Sequence, residues 1–421
     1  MTNETAGAAP AGGRRPRVLF MTEWFEPLQV QKGINFVSRI RDAGYDVDVA
    51  TSIPLEGRWI PYRRDTMNGI AVYRLPLYRS HDTSGVRRSL TFLSFFLSLL
   101  VFGLIRARRY DVIYAYHPPI TVGLAAALFG KVWRRPFVLD VLDLWPDGVA
   151  ESGMARPSIV ATINRVCNFT YRHAARISVA AEGFRHRLIE RGVPAAKIRL
   201  TYNSADENKA RPGGGLDLAP YRLEGRFNIV YGGNLGVMQD LPTVISAARL
   251  AHARNPALHL ILVGAGSERG RLERLAAEAP DVVRVHPSVP MTQIGDLFDA
   301  ADLLIFHLAD RPLFRIYLPG KLAFYLAMGK PILAGIEGEG ADIVKAAGAG
   351  FTVAPGNPEA IAEAMLNAAD TDPETRAAMG QSGREYYMRT MSSELAVRKL
   401  LDLLNAAARR EPLPREDADA T

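Results

Sequence analysis

Phe227-Asn228-Ile229-Val230-Tyr231-Gly232-Gly233-Asn234-Leu235-Gly236 is the stretch from which the fold is read. Residues 227–231 are mostly β-branched or aromatic and run straight into a glycine pair, the pattern of a buried strand closed by a sharp turn. Glycines there let backbone come close to a phosphate or sugar, and N–H groups at a following helix start can face an anion. A tight turn by itself is the plainer reading of the same residues. Downstream the pattern alternates: helix 242–253, strand 258–263, helix 269–279, strand 282–286, helix 293–300 and strand 303–307. Helix 321–328, strand 331–334 and further helices to Arg409 complete it.

Upstream lies Arg211-Pro212-Gly213-Gly214-Gly215, which reads as a flexible connection over 210–216. Before it the alternation has already run once. Strand 17–21 leads to an amphipathic stretch 36–43 closed by Gly44, then strands 47–50 and 71–75. An apolar segment 90–105, strand 112–115, helix 121–129 and strand 137–141 follow. Such alternation predicts an α/β chain of two doubly wound halves facing a cleft, with ligands outside the carboxyl ends of parallel strands. The predicted divisions are a disordered lead 1–16, a first domain 17–206, a linker 207–225, a second domain 226–410 and a loose tail 411–421.

Composition narrows the function. A chain of 421 residues exceeds one ordinary core, and 48% hydrophobic against 23% charged residues predicts a folded protein. The lone Cys167 excludes a disulfide framework and a multi-cysteine zinc site within one chain. A net charge of +7 favours an anionic partner. The arginines are scattered rather than interleaved with aromatics along one element, so nucleic acid is not expected. Residues 1–15 lack the apolar run of a signal peptide. The histidines show no ligand spacing, and Asp46-Val47-Asp48 falls inside a strand, where one carboxylate simply faces solvent; no metal is expected.

The segment 90–105 is flanked by Arg87 and Arg88 before it and Arg106, Arg108 and Arg109 after it. It falls short of the ~20 apolar residues that a spanning helix needs. Basic flanks around an apolar helix fit a peripheral position on an anionic membrane surface; a buried helix with solvated ends is the alternative.

Three loops follow predicted strands. In Gly264-Ala265-Gly266 a dinucleotide fingerprint would require glycine at Arg269 and an acidic residue after the next strand, which ends at His286, so a nicotinamide site is excluded. Pro319-Gly320-Lys321 opens a helix with a lysine at its positive end, a combination suited to a diphosphate. Gly329-Lys330 is not the end of a P-loop, since Phe324 stands where that loop needs glycine.

Together, Gly33, Ala43-Gly44-Tyr45-Asp46-Val47, Tyr202-Asn203-Ser204-Ala205-Asp206, the glycine loop, Leu262-Val263-Gly264-Ala265-Gly266 and Gly329-Lys330-Pro331-Ile332 resemble, in order and spacing, retaining nucleotide-sugar glycosyltransferases of family 4. That family has the GT-B fold of two Rossmann-like domains, and the resemblance spans roughly 17–405. His117-Pro118-Pro119, Asp143-Leu144-Trp145-Pro146-Asp147 and Pro319-Gly320-Lys321 look like a bacterial polysaccharide subfamily, fucosamine-transferase-like, that works at the cytoplasmic membrane face on lipid-linked acceptors. The resemblance implies a nucleotide-sugar donor with no further cofactor. It places Gly264, Ser288 and Val289 at base and ribose, Gly233, Asn234, Gln239, Pro319, Gly320 and Lys321 at the diphosphate, and Gly33 where phosphates approach from the first domain. The acceptor falls near His117 and Asp143. Two family glutamates correspond to Ile316 and Phe324, and two basic positions of the glycine loop correspond to the neutral Asn234 and Gln239. The missing charge then falls to Lys321 with Arg311 and Arg315, and ribose to Glu337, Glu339 or Asp342. A transferase for a soluble small-molecule acceptor, a non-catalytic GT-B protein and a two-domain sugar-nucleotide epimerase are the alternatives.

Overall fold

The computed structural model describes residues 14–26, 32–53, 62–78, 85–117, 119–148 and 156–414. The chain forms two compact units: the first runs to Tyr202 and takes back the stretch from Glu394, and the second is Asn203–Ser393.

The strands of the first unit are β1 (Arg17–Met21), β2 (Asp46–Ser52), β3 (Arg63–Met67), β4 (Ile70–Leu75), β5 (Val112–His117), β6 (Phe137–Val141), β7 (Arg176–Val179) and β8 (Ile198–Leu200), in sheet order β3-β4-β2-β1-β5-β6-β7-β8. All neighbours are parallel except β3 and β4. That hairpin turns at Asn68 and Gly69, both at positive φ, as a two-residue hairpin turn requires. The sequence reading missed β3 because Arg63-Arg64-Asp65 has no apolar run. β1 and β6 are buried almost throughout, as expected of strands covered on both faces.

In the second unit β9 (Phe227–Gly232), β10 (Leu258–Val263), β11 (Val283–His286), β12 (Leu303–His307), β13 (Ile332–Gly335) and β14 (Gly350–Val353) form an all-parallel sheet in the order β11-β10-β9-β12-β13-β14. The order steps outward from β9 in both directions, so the loop after β9 lies at the topological switch point, where such sheets bind ligands.

Three expected boundaries are corrected. The helix Ser393–Arg409 belongs to the first unit, not to a second domain reaching 410: Ala396, Val397, Leu400, Leu403 and Leu404 join the core of Val18, Phe20, Val37 and Tyr114, and Tyr45 Oη donates to Asn405. Its period announces an apolar face but not the surface that covers it. The glycine-rich connection is tied down, because Asp296 accepts the N–H groups of Gly213, Gly214 (3.0 Å) and Leu216 (2.8 Å), which holds its carboxyl below the usual range. In the tail, the carbonyls of Glu411 and Pro414 accept from Arg176 and Arg199. The rest of the expected loose tail and lead, 415–421 and 1–13, lies outside the described residues.

The apolar segment is a longer helix than the sequence suggests, Gly85–Arg106. By length and composition alone it is able to cross a membrane. It instead lays Phe95, Leu99 and Phe102 into the first unit, and Gly103 admits the Phe129 ring where a Cβ would come within 2.2 Å of it.

Candidate functional site

The site of the second unit is built from three loops at the carboxyl ends of its strands. After β9, Gly233 adopts φ +141°, and a side chain there would stand 2.3 Å from Cε of Lys321. Gly264 and Gly266 let the loop after β10 press against this one: a Cβ on Gly264 would come within 1.8 Å of the Gly233 carbonyl, and one on Gly266 within 2.2 Å of the Leu235 carbonyl. Loop packing thus requires a glycine at 264, independently of the expected contact with a base. Asn234 and Gln239 hold the loop to itself. The Asn234 carbonyl accepts from Tyr231 Oη at 2.6 Å, and Gln239 Oε1 accepts from the Gly236 N–H at 3.2 Å.

Lys321 sits in the first turn of the helix Gly320–Met328, behind Pro319, whose extended backbone starts the helix without a side-chain cap. Its Nζ lies 4.8 Å from the centroid of the Tyr231 ring. No carboxylate among the described residues pairs with it, and burial lowers its pKa to about 8. A half-buried ammonium, uncapped N–H groups and the glycine loop therefore converge without an anion of the protein's own. This is the arrangement that a diphosphate completes.

Other expected contacts are corrected. Arg315 is not a spare cation: it pairs with Glu337 at 2.9 Å and with Asp310 at 3.5 Å. Glu337 is spent on that pair, while Glu339 begins the helix Glu339–Ala346. Phe324 is half-buried with its ring edge-on to Phe298, centroids 5.9 Å apart, so packing accounts for it. Ser288 is exposed and Val289 half-buried just after β11. His307, which the sequence reading passed over, links this face together: its Nδ1 contacts the Gln239 carbonyl at 3.0 Å, and its Nε2 accepts the Gly356 N–H at 3.2 Å.

In the first unit, Asp143 follows β6, and burial raises its carboxyl above the usual range. His117 ends β5, and its side chain lies outside the described residues. At Gly33, where a phosphate approach is expected, a carboxylate of the protein lies at the helix start. Glu26 Oε1 accepts the Ile34 N–H at 2.7 Å and fills the helix start, where a Cβ on Gly33 would come within 2.1 Å of it. Beside Gly33, buried Lys32 pairs with Asp140 of β6, which also accepts from Tyr114 Oη. The signal for this pair was present in the sequence, as a single carboxylate inside the apolar run of β6. Among the described residues no group of three or more histidine, cysteine or carboxylate side chains is placed to hold a metal.

Residues 35–204 match the glycosyl transferase 4-like domain, and residues 226–371 match glycosyl transferases group 1. The chain is a glycosyltransferase. Relatives are bacterial: the Pseudomonas aeruginosa protein named "Probable glycosyltransferase WbjE" is 24% identical over 277 residues, 63% of this chain and 68% of that one. The Escherichia coli K12 protein named "Putative colanic acid biosynthesis glycosyl transferase WcaI" is 26% identical over 253 residues, 56% of this chain and 61% of its own length. Among solved structures, Anabaena HepE in complex with UDP and glucose has a TM-score of 0.68 at 17% identity, covering 93% of this chain and all of that one. Sucrose-phosphate synthase of Thermosynechococcus elongatus has a TM-score of 0.71 at 18% identity, covering 94% of this chain and all of that one. These likenesses show the GT-B fold for this glycosyltransferase, two α/β units each built on a parallel sheet.

Proposed function

We propose that this glycosyltransferase moves a sugar, with retention of anomeric configuration, from a nucleoside diphosphate sugar to a lipid-linked polysaccharide intermediate at the cytoplasmic membrane face. The observation that carries the donor reading is Lys321, an ammonium with no carboxylate partner among the described residues, set between the Gly233 turn and a helix start. The bond between the anomeric carbon and the diphosphate oxygen breaks while an acceptor hydroxyl bonds that carbon on the same face. The departing phosphate takes the hydroxyl proton. Lys321 and the N–H groups of residues 320 and 321 stabilise the charge that develops on the diphosphate, which is electrostatic catalysis by groups already in place. Asp143, desolvated at the end of β6, orients the acceptor. Support for a polysaccharide product comes from the name of the E. coli relative, and for the donor from the UDP and glucose held by HepE.

Thermal unfolding with a panel of nucleoside diphosphates tests the reading. A ligand at 100 times its dissociation constant raises stability by about 2.7 kcal/mol. One or two nucleotides should shift the transition of the native chain and shift that of Lys321→Ala by less than half as much. A panel without any shift, or an equal shift in Lys321→Ala, would sink the assignment.

A further inference from the structure

The helix Gly85–Arg106 carries a second apolar face that the described residues of the first unit do not cover. Leu90, Leu93, Leu97, Val101 and Ile105 recur every three or four residues, which sets them along one side. Val101 is 58% exposed and Ile105 65%. Beside this stripe opens a pocket of about 530 Å³, lined by Tyr62, Leu75, Leu97, Val101, Phe102, Ile105 and Arg106. That volume is in the range of small-molecule sites. The guanidinium of Arg106 lies 4.8 Å from the Tyr73 ring centroid and donates to Tyr73 Oη at 3.3 Å. No carboxylate among the described residues neutralises it.

The surroundings repeat this chemistry. Exposed Val132 and Trp133 close the neighbouring helix Ile120–Trp133, and Trp133 Nε1 donates to the Leu104 carbonyl at 3.0 Å, joining the two helix ends into one patch. Arg108, Arg109, Lys131, Arg134 and Arg135 surround it, and none of them has a carboxylate partner among the described residues. Apolar side chains, a tryptophan and unneutralised cations at one place complement a lipid surface with anionic heads.

We propose that the pocket takes one hydrocarbon chain of an anionic lipid, whose phosphate meets Arg106, and so fastens the first unit to a membrane. The largely hydrocarbon wall and the one guanidinium in it, without a carboxylate partner among the described residues, match a chain with a charged head. The inference rests on the membrane-face reading above, and its test separates the two.

Dodecyl phosphate, dodecanol and inorganic phosphate are titrated separately into the full chain, below the micellar concentration, and flotation on phosphatidylglycerol vesicles is read in parallel. Dodecyl phosphate should saturate at one per chain, dodecanol should bind at least tenfold more weakly, and inorganic phosphate should not saturate. Val101→Trp fills the pocket while keeping the surface apolar. It should weaken dodecyl phosphate at least tenfold and float less completely than the native chain. Arg106→Gln should reduce dodecyl phosphate to the dodecanol level. Leu97→Phe narrows the same pocket and serves if Val101→Trp unfolds. Equal binding to the filled and native pockets, binding without saturation, or inorganic phosphate binding as tightly as dodecyl phosphate would overturn the proposal. Flotation without one-to-one binding overturns the pocket alone. One-to-one binding without flotation upholds the pocket and overturns the membrane-face reading.

Discussion

A side chain on Gly233 would stand 2.3 Å from Cε of Lys321, so the backbone of the first glycine loop and the cation of the helix start share one space. Gly233→Ala should be relieved by moving the lysine, because the obstructing atom is near the end of a flexible side chain. The positive φ of +141° adds backbone strain of about 1–3 kcal/mol. The expected result is a folded protein, modestly destabilised, whose donor affinity falls well beyond its loss of stability. Calorimetry with the donor nucleotide beside chemical denaturation checks this, and native-like affinity would disprove the shared-space reading.

Lys321 makes donor binding pH-dependent. Burial has lowered its pKa from 10.5 to about 8 in the free chain, so the ammonium is lost as pH rises through that value. Nucleotide affinity should fall between pH 7 and 9 in the native chain and stay level in Lys321→Arg. Lys321→Ala should lose about 1.5–3 kcal/mol of charge-assisted binding. The same burial makes the lysine costly to the empty fold. Lys321→Met should therefore raise apo stability at pH 7, by up to about 3 kcal/mol, while weakening binding as Lys321→Ala does. A titration and a denaturant melt measure the two effects.

Asp143 carries a carboxyl raised by burial, so it ionises at a higher pH than an exposed aspartate. If the carboxylate orients the acceptor, kcat/KM should rise with pH as Asp143 ionises. Asp143→Asn should lower the plateau by at least about tenfold and remove that limb. A pH profile of the variant with the limb intact would assign the limb to another group.

Lys32 and Asp140 form a buried ion pair in which Lys32 also lies over Phe36, Tyr114 and Tyr116. Asp140→Ala leaves the ammonium buried and alone, and should cost about 3–5 kcal/mol. Replacing both partners, Lys32→Met with Asp140→Leu, should recover most of that loss. Chemical denaturation of the single and double variants decides the matter.

His259 titrates with unfolding. Burial, then nearby Arg226 and Arg284, lowers its pKa from 6.5 to about 4, and its Nε2 is buried without a hydrogen-bond partner among the described residues. A lowered folded-state pKa contributes stability above pH 6.5 that is lost as pH falls toward 4. The contribution is about 2–3 kcal/mol. Over that window His259→Gln should lose less stability than the native chain, as melts at pH 7 and pH 4.5 would show.

Much of the site was legible in the sequence. Strands β9, β10 and β6 announce themselves because parallel strands covered on both faces are predominantly apolar, each here with one buried polar residue, Asn228, His259 and Asp140. Gly233 and Lys321 were readable because strand-to-helix turns and helix starts are local chemistry: a glycine for positive φ, a cation placed by the chain itself. Tertiary structure decided whatever depends on a partner distant in the chain. Arg315 could be read as a free cation until Glu337 was seen beside it, and the need for a glycine at 264 shows only once the Gly233 carbonyl is found against it. Phe324 became a packing residue only through Phe298. The helix Ser393–Arg409 shows its amphipathic period in the sequence, yet only the fold assigns it to the core of the first unit. Periodicity specifies that a face must be buried, whereas the surface that buries it is chosen by packing among all the elements at once.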